Sequence, residues 1–211
     1  TLGTLNTGDL TVNTSGGGAL NAGSGSITLD QANALGGSFD LTGGATRIDN
    51  TKTASTTLTL GTLNTGDLTV NTSGGGLGLG NGTVTGVLSA TSQGGAITQS
   101  GGLTVTGNST INAGAGDITL DQANALGSTV TLSGATTVVA NTKTPTTTLT
   151  LGTLNTGALT VSTSGGALNL GAGSIGGALH ATSNAGAITQ TGARTTSGGG
   201  ALNAGSGSIT L

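Results

Sequence analysis

One stretch of sequence returns almost unchanged along the chain, and this repeat limits the possible folds more than any other feature. AGSGSITLDQANAL begins at Ala22, AGAGDITLDQANAL begins at Ala113 and AGSGSITL begins at Ala204, with 91 residues between successive starts. A long unit repeated with few insertions is typical of architectures that stack equivalent pieces. The predicted organisation is one continuous segment over 1–211, with repeat units at 22–112 and 113–203 and a partial copy from 204.

A shorter period is visible inside each unit. LTV triplets begin at Leu68, Leu103 and Leu159. Their spacings are close to two and three times a period of about 18 residues. We therefore predict that each unit contains five coils of about that length. Some 11 or 12 such coils, stacked at the spacing of β-strands, would give a rod of about 55 Å.

The start of the chain shows that the stack tolerates a deletion. Thr1–Gly18 matches Thr59–Gly76, whereas the sequence from Ala19 onward matches that from Thr110. This junction lacks the stretch from Leu77 to Ser109, which is close to two of the predicted coils. A modular stack accepts such a loss, whereas a globular core would not.

The local pattern is that of short strands joined by turns. Triplets such as LTV, ITL and VTL alternate apolar and polar residues, and Gly-rich clusters such as SGGG separate them. This alternation predicts strands with one buried face, and the Gly clusters predict turns. The sequence thus predicts an all-β fold, a single-stranded parallel β-solenoid. DQANAL, from Asp30 and again from Asp121, is the one stretch compatible with a helical turn.

The same alternation predicts which side chains form the core. Arg47 corresponds to Val138 in the next unit and Ile48 corresponds to Val139, so only the first position of this pair tolerates charge. Arg194 replaces Leu103, which predicts a partly buried corner or a local break in that face. The residues predicted to point inward are Leu68, Val70, Leu103, Val105, Ile118, Leu120, Val130, Leu132, Val139, Leu149, Leu151, Leu159 and Val161.

The composition excludes several classes of function. Among 211 residues there are 44 Gly, four Lys or Arg, seven Asp, no Cys and a single aromatic residue, Phe39. Four scattered cations cannot form the basic stripe that nucleic acids require. Without Cys there is no disulfide or thiolate metal site. No apolar run reaches the length of a membrane span, and no signal peptide opens the sequence.

The Gly-, Thr- and Asn-rich coils, typified by TLTLGTLNTGDLTVNTSGGG and GALHATSNAGAITQTG, resemble the repeat regions of the filamentous haemagglutinin family. Members of that family are large exoproteins exported by two-partner secretion. The resemblance implies a right-handed parallel β-helix, an extracellular or cell-surface location in bacteria, and roles in adhesion, biofilm or contact-dependent competition. The secretion domain of the family is not recognisable in this sequence.

We find no residues that predict catalysis, cofactor binding or metal binding. Asp117 lies in a GAGD segment that resembles part of a calcium-binding nonapeptide, but Ser26 and Ser208 replace it in the other copies, which favours a plain turn. His180 stands where the preceding unit has Ser89, which favours a surface substitution over a general base.

The remaining polar candidates favour structural roles as well. Asp30 and Asp121 are too far apart for a carboxylate pair and are predicted to cap the turn that opens DQANAL. The Gly-rich stretches lack the Lys and the strand–loop–helix context of a phosphate loop. Lys52 and Lys143 occur in NTKT segments, followed by Ala54 and Pro145, and predict exposed loops.

These observations favour a structural or adhesive spacer: a stiff rod in a bacterial surface fibre or adhesin stalk, and not an enzyme. Because neither end carries a polar cap, we expect the segment to join flanking repeats or to stack end to end with itself. The alternative is a binding module that recognises a host surface, glycans or ice through one solenoid face. Ice would demand the same Thr pair in every coil, and glycan binding usually uses aromatic platforms. A polysaccharide-degrading enzyme would need clustered acidic residues, and the seven Asp are scattered.

Overall fold

The computed structural model of the chain describes residues 13–14, 16–144 and 146–211, and this part consists of strands and turns without a helix. The strands are β1 (Asn13–Thr14), β2 (Gly18–Asn21), β3 (Ile27–Leu29), β4 (Ala34–Leu35), β5 (Ser38–Gly43), β6 (Thr46–Asn50), β7 (Leu58–Thr65), β8 (Leu68–Thr72), β9 (Leu77–Leu79), β10 (Asn81–Val84), β11 (Leu88–Thr91), β12 (Ile97–Gln99), β13 (Leu103–Val105), β14 (Ser109–Asn112), β15 (Ile118–Leu120), β16 (Ala125–Leu126), β17 (Thr129–Asn141), β18 (Leu149–Thr163), β19 (Leu168–Leu170), β20 (Ala172–Ile175), β21 (Leu179–Thr182), β22 (Ile188–Gln190), β23 (Arg194–Thr196) and β24 (Gly200–Asn203).

The strands run parallel and stack in three columns along one axis. Apart from β1 and β4, which pair with each other, they form one 22-stranded sheet. Column one stacks Leu29, Ile48, Val70, Ala90, Ile111, Leu132, Leu154, Gly173 and Arg194. Column two stacks Leu58, Leu77, Ile97, Ile118, Thr137, Leu159, Leu179 and Gly200. Column three stacks Leu20, Leu41, Leu63, Gly82 and Leu103, and further along Leu149, Leu168, Ile188 and Ile209. The predicted parallel β-solenoid is confirmed.

Each turn is longer than the sequence pattern indicated. Leu58 pairs with Leu77, and Leu41 pairs with Leu63, so both of these turns exceed the predicted period. The turns average roughly 21 residues and number about nine. The predicted coil of about 18 residues is therefore too short, and the predicted 11 or 12 coils are too many. The corners account for the difference, because they hold irregular residues such as the loop 51–57 between β6 and β7. At about 4.8 Å per turn, nine turns extend roughly 40 Å.

The repeat unit found in the sequence equals four turns and one further strand. In column three, Leu20 is followed by Leu41, Leu63, Gly82 and Leu103. Leu103 therefore lies four turns above Leu20. In the next unit the residue equivalent to Leu20 is Ile111. Ile111 lies on the strand after that of Leu103 and belongs to column one. Equivalent residues of successive units therefore lie on neighbouring columns, rotated by a third of a turn about the axis.

The core is a continuous aliphatic interior. Along β8 and β18 buried and more exposed residues alternate, as expected for strands with one face inward. All of the residues predicted to point inward are buried, from Leu68 to Val161, which confirms that prediction. Ile48 and Val139 are buried whereas Arg47 is exposed and Val138 is half-buried, so the inference from comparing the units is also confirmed. Each fully buried Leu or Ile contributes about 1.5–3 kcal/mol.

DQANAL does not form a helical turn. It is an irregular corner that leads into the short strands β4 and β16. A buried Asn holds this corner: Asn33 Nδ2 donates to the carbonyl oxygens of Leu29 and Asp49 at 3.0 and 3.1 Å. The predicted cap is wrong as well, because Asp30 Oδ1 accepts a hydrogen bond from the side chain of Gln31 and not from the backbone. The Asn33 amide thus satisfies Leu29 O, which a helical turn would have paired with a backbone N–H, and ties the corner to Asp49 on the next turn.

Arg194 stacks on Gly173 in column one, and its side chain is partly buried. Its Nη2 donates to Gln190 Oε1 at 3.3 Å, while its Nη1 is buried without a partner in the described part of the chain. Burial lowers the pKa of the Arg194 guanidinium. The prediction of a partly buried corner at this position is confirmed.

Candidate functional surfaces

Exposed carboxylates in the described part of the chain link one turn to the next. Each Oδ1 accepts a backbone N–H from the turn above: Asp40 from Thr62 at 2.6 Å, Asp67 from Val87 at 2.8 Å and Asp117 from Thr136 at 2.8 Å. Charge-assisted bonds of this kind are stronger than neutral ones. Each of these aspartates thus ties one turn of the solenoid to the next.

Asp117, the residue considered for calcium, is one of these links. Its carboxylate binds the Thr136 N–H, and the neighbouring Gly116 N donates to Ala113 O at 3.0 Å within the same turn. Over the described residues, no group of three or more His, Cys, Asp or Glu side chains lies close enough to hold a metal ion. The contacts of Asp117 agree with the turn that the sequence comparison favoured.

His180 is an exposed side chain on the outer surface of column two. Its strand neighbours in register are Thr160 below and Ala201 above. Neither neighbour is an acid or a base that could tune an imidazole for proton transfer, so the position has the surroundings of a surface substitution.

The two lysines lie on exposed corner loops, as predicted. Lys143 Nζ donates to Thr104 Oγ1 at 2.7 Å, so this loop folds down over the outer face of the solenoid. Pro145 lies outside the described residues. Because the units are rotated, the loop 51–57 joins column one to column two, whereas the equivalent loop of Lys143 joins column two to column three.

A paired charge is partly buried on the first unit. Arg47 Nη2 donates to Asp49 Oδ2 at 2.7 Å, and Asn71 Nδ2 donates to Asp49 Oδ1 at 2.5 Å. The next unit has Val138 and Ala140 at the positions of Arg47 and Asp49. In these two units the two charges are therefore both present or both absent. A comparison of the two unit sequences could have shown this.

A polar cluster at the edge of the core was missed by the sequence analysis. Gln99 occupies an inward position in column two, in register with Leu79, and it meets the fully buried Asn124. Gln99 Nε2 donates to Asn124 Oδ1 at 2.8 Å, and Asn124 Nδ2 donates to Gln99 Oε1 at 2.9 Å. The available signal was the Q of GAITQ, which stands where the alternation requires an apolar residue.

A shallow groove of about 280 Å³ crosses the outer face of column two. Its floor is the backbone around Gly76 and Gly78, and its walls include Thr59 on the turn below and Thr98 on the turn above. A methyl group at Gly78 would meet only an ordinary contact with Thr59 Cγ2 at 3.5 Å, so packing does not require Gly there. In the next unit Asn169 takes that place.

A polar surface without charge covers several turns of column one. Two rows of outward side chains are paired in register: Thr69, Ser89, Thr110 and Thr131, beside Asn71, Thr91, Asn112 and Ser133. The pair of side chains changes from turn to turn, so this face offers hydrogen-bonding groups without an identical repeat.

The family of repeats of unknown function, DUF5649, matches the chain over residues 65–133 and 156–211. The chain belongs to this family. The starts of the two matches are separated by one repeat unit of the sequence. Since that unit corresponds to four turns and one strand, the second DUF5649 match begins one column further round the solenoid than the first.

No curated protein and no solved structure matches the chain. Among the described residues of this DUF5649 chain there is no helix long and apolar enough to cross a bilayer.

Proposed function

We propose that this DUF5649 segment is a structural rod, a stiff spacer in a bacterial surface fibre or adhesin stalk, and not an enzyme. The supporting observation is the uninterrupted stack, in which column one passes through nine turns with one paired residue in each. Stacked repeats derive stability from their neighbours, so such a rod can be extended without a new core.

We also propose an extracellular or cell-surface location, with flanking repeats or further copies of the same segment as partners. A parallel stack presents the same unpaired backbone groups at each end of any segment, and a further turn satisfies them. The surface of the described part is polar and carries few charges, which suits neither nucleic acid nor a charged ligand.

Electron microscopy of the purified chain at rising concentration tests the rod. We expect straight particles one solenoid wide, and long filaments where copies stack end to end. A version with charged caps fused to both ends should remain as short rods. Flexible or globular particles in both samples would overturn the proposal. Antibody labelling of intact cells tests the location, since a cytoplasmic chain would be stained only after permeabilisation.

The groove on column two favours a second candidate function, the binding of a neutral extended ligand such as a glycan chain. Thr59 and Thr98 line it, most of its exposed lining is apolar, and no charged residue stands among the described residues that line it. Gly78→Asn places in the groove the residue that the next unit already carries. Binding to a panel of neutral glycans that Gly78→Asn abolishes would favour this function, and equal binding by both chains would exclude the groove.

A further inference from the structure

Apolar packing alone does not set the register between turns of this solenoid. The inward residues are nearly interchangeable, since LTV recurs at Leu68, Leu103 and Leu159 and most other rungs carry Leu, Ile or Val. A buried face excludes a slip by one residue, which would turn the apolar side chains outward, but it does not exclude a slip by a whole turn, which keeps them inward. A strand that skipped a turn would still bury an apolar side chain against another. Correct stacking therefore needs a contact that only one alignment can make.

The amide pair of Gln99 and Asn124 is such a contact. The two side chains exchange hydrogen bonds in both directions, at 2.8 and 2.9 Å, across consecutive turns. Gln99 Nε2 also donates to Gly101 O at 2.5 Å. Gln99 belongs to the unit 22–112 and Asn124 to the unit 113–203, so the pair joins the end of one unit to the start of the next.

Asn124 also ties together the backbones of three successive turns. Its Oδ1 accepts the Leu103 N–H at 2.8 Å from the turn below, and its Nδ2 donates to Leu120 O at 3.1 Å in its own turn. The same Nδ2 lies 3.0 Å from Ala140 O in the turn above, so its two protons are shared among the acceptors around it. Asn33 makes the equivalent bonds to Leu29 and Asp49, so the arrangement is a property of the DQANAL corner.

The Gln of GAITQ meets a polar partner in the next unit as well. Gln190 Oε1 accepts a hydrogen bond from Arg194 Nη2, where Arg194 replaces Leu103. The half-buried, inward Gln is thus paired in both described copies, as amides removed from water generally are.

We propose that the Gln99–Asn124 pair is a register lock, a conformational device that admits one stacking of successive units and penalises a slip by one turn. In a stack that skips a turn the two amides are separated, and an amide that stays in the core loses its partner, which is destabilising because it is removed from water without that hydrogen bond. The stacked aliphatic side chains of successive turns supply most of the stability. They leave alternative alignments nearly equal in free energy, and the amide pair selects among these alignments.

Cysteine pairs in a chain that has no Cys of its own provide the test. Thr110 and Thr131 are neighbours in register, about 4.8 Å apart, so T110C/T131C reports correct stacking by closing a disulfide. Ser89 and Thr131 lie two turns apart, beyond disulfide range, so S89C/T131C closes only when one turn is skipped.

We expect T110C/T131C alone to close in the otherwise unchanged chain. With Gln99→Leu and Asn124→Leu added, we expect the S89C/T131C disulfide to rise several-fold. The control Gln122→Leu changes an exposed amide next to the corner and should leave both yields unchanged. If the double Leu variant closes only T110C/T131C, the lock is overturned.

If the double Leu variant does not fold, a second variant that keeps the DQANAL corner intact provides the test. Gln99→Leu alone removes the reciprocal pair but leaves the bonds of Asn124 to Leu103, Leu120 and Ala140. A several-fold rise of the S89C/T131C disulfide in this variant supports the lock. Closure of T110C/T131C alone would show that Asn124 serves only to hold its own corner, which overturns the proposal.

Discussion

Two buried threonines on neighbouring strands differ in one respect, whether the hydroxyl group has a partner. Thr72 Oγ1 donates to Gly75 O at 2.7 Å, whereas Thr65 Oγ1 is buried without a partner among the described residues. Thr72→Val should therefore lower the free energy of unfolding by about 1 kcal/mol, because Gly75 O loses its donor. Thr65→Val should raise it by up to about 1 kcal/mol, because an unpaired hydroxyl leaves the core.

Chemical denaturation of both variants beside the unchanged chain measures this difference. The two substitutions have the same shape change and similar burial, so packing effects cancel in the comparison. Equal shifts of the transition for Thr72→Val and Thr65→Val would show that the corner hydroxyl bond contributes nothing.

The ion pair on the first unit allows a prediction from the residues of the next unit. Arg47→Val alone leaves the largely buried Asp49 carboxylate with only Asn71 as a side-chain partner in the described part of the chain. We expect a loss of about 0.5–1 kcal/mol, kept small because the Arg47 side chain is 49% exposed and screened by solvent. The double change Arg47→Val with Asp49→Ala reproduces Val138 and Ala140 and should recover this loss.

A double-mutant cycle in denaturant measures the coupling between the two charges. Strictly additive losses for Arg47→Val and Asp49→Ala would contradict the prediction. Raised salt should reduce the coupling, since the pair is partly exposed.

At the scale of the element, two glycines of one short segment differ in the room around them. A methyl group at Gly80 would overlap the carbonyl oxygen of Gly61 on the turn below, and Gly171 stands in the same relation to Gly152 in the next unit. Gly80→Ala must move backbone and should destabilise by about 2–4 kcal/mol. Gly78→Ala meets only ordinary contacts and should change stability by less than about 0.5 kcal/mol.

Thermal unfolding followed by circular dichroism distinguishes the two variants. Gly78→Ala serves as the matched control, because it makes the same chemical change close by on the same segment. A Gly80→Ala chain as stable as Gly78→Ala would mean that the corner between columns two and three can open.

The strands were predictable and the corners were not. Apolar–polar alternation is decided within each triplet, so Leu68, Val70 and Ile118 could be placed inward from sequence alone. Turn length is decided by how the corner residues bend. The corners around Lys52 and in DQANAL add residues that carry no periodic signal, which is why a period of about 18 residues underestimates the turn. Gln99 breaks the alternation although it points inward. Its partner, Asn124, lies one turn away, so the local pattern around Gln99 does not indicate the contact.

At the scale of the whole molecule, the unit of construction is the strand and not the turn. The repeat unit contains four turns and one strand, and the segment from Leu77 to Ser109 that the first junction lacks contains the five strands β9 to β13. The repeat unit and the missing segment each contain a whole number of strands, but neither contains a whole number of turns. A feature carried by every unit, such as the loop of Lys52 or Lys143, is consequently distributed around the axis and not along one face.

Deleting a whole turn tests the three-column register. Leu88 pairs with Leu68, so removal of residues 68–87 brings Leu88 into the place of Leu68, beside the same neighbour, Thr46. The other two columns also close without a gap, since each loses one strand, β9 or β10. The shortened chain should fold with an unchanged β-sheet spectrum. It should be shorter by about 4.8 Å in solution scattering, because one layer of strands is lost.

A smaller deletion that ends inside a strand is the matched control for the loss of a turn. Removal of residues 68–77 takes away β8 and the first inward residue of β9, so the strands that follow come to lie out of phase with the columns. Their apolar side chains would then face corners and solvent, which exposes backbone that the stack normally protects. This chain should be rapidly proteolysed, although it loses fewer residues than the chain without a whole turn. If the two deletions were equally stable, the stack would not depend on the pairing of Leu68 with Leu88, and the three-column register would be wrong.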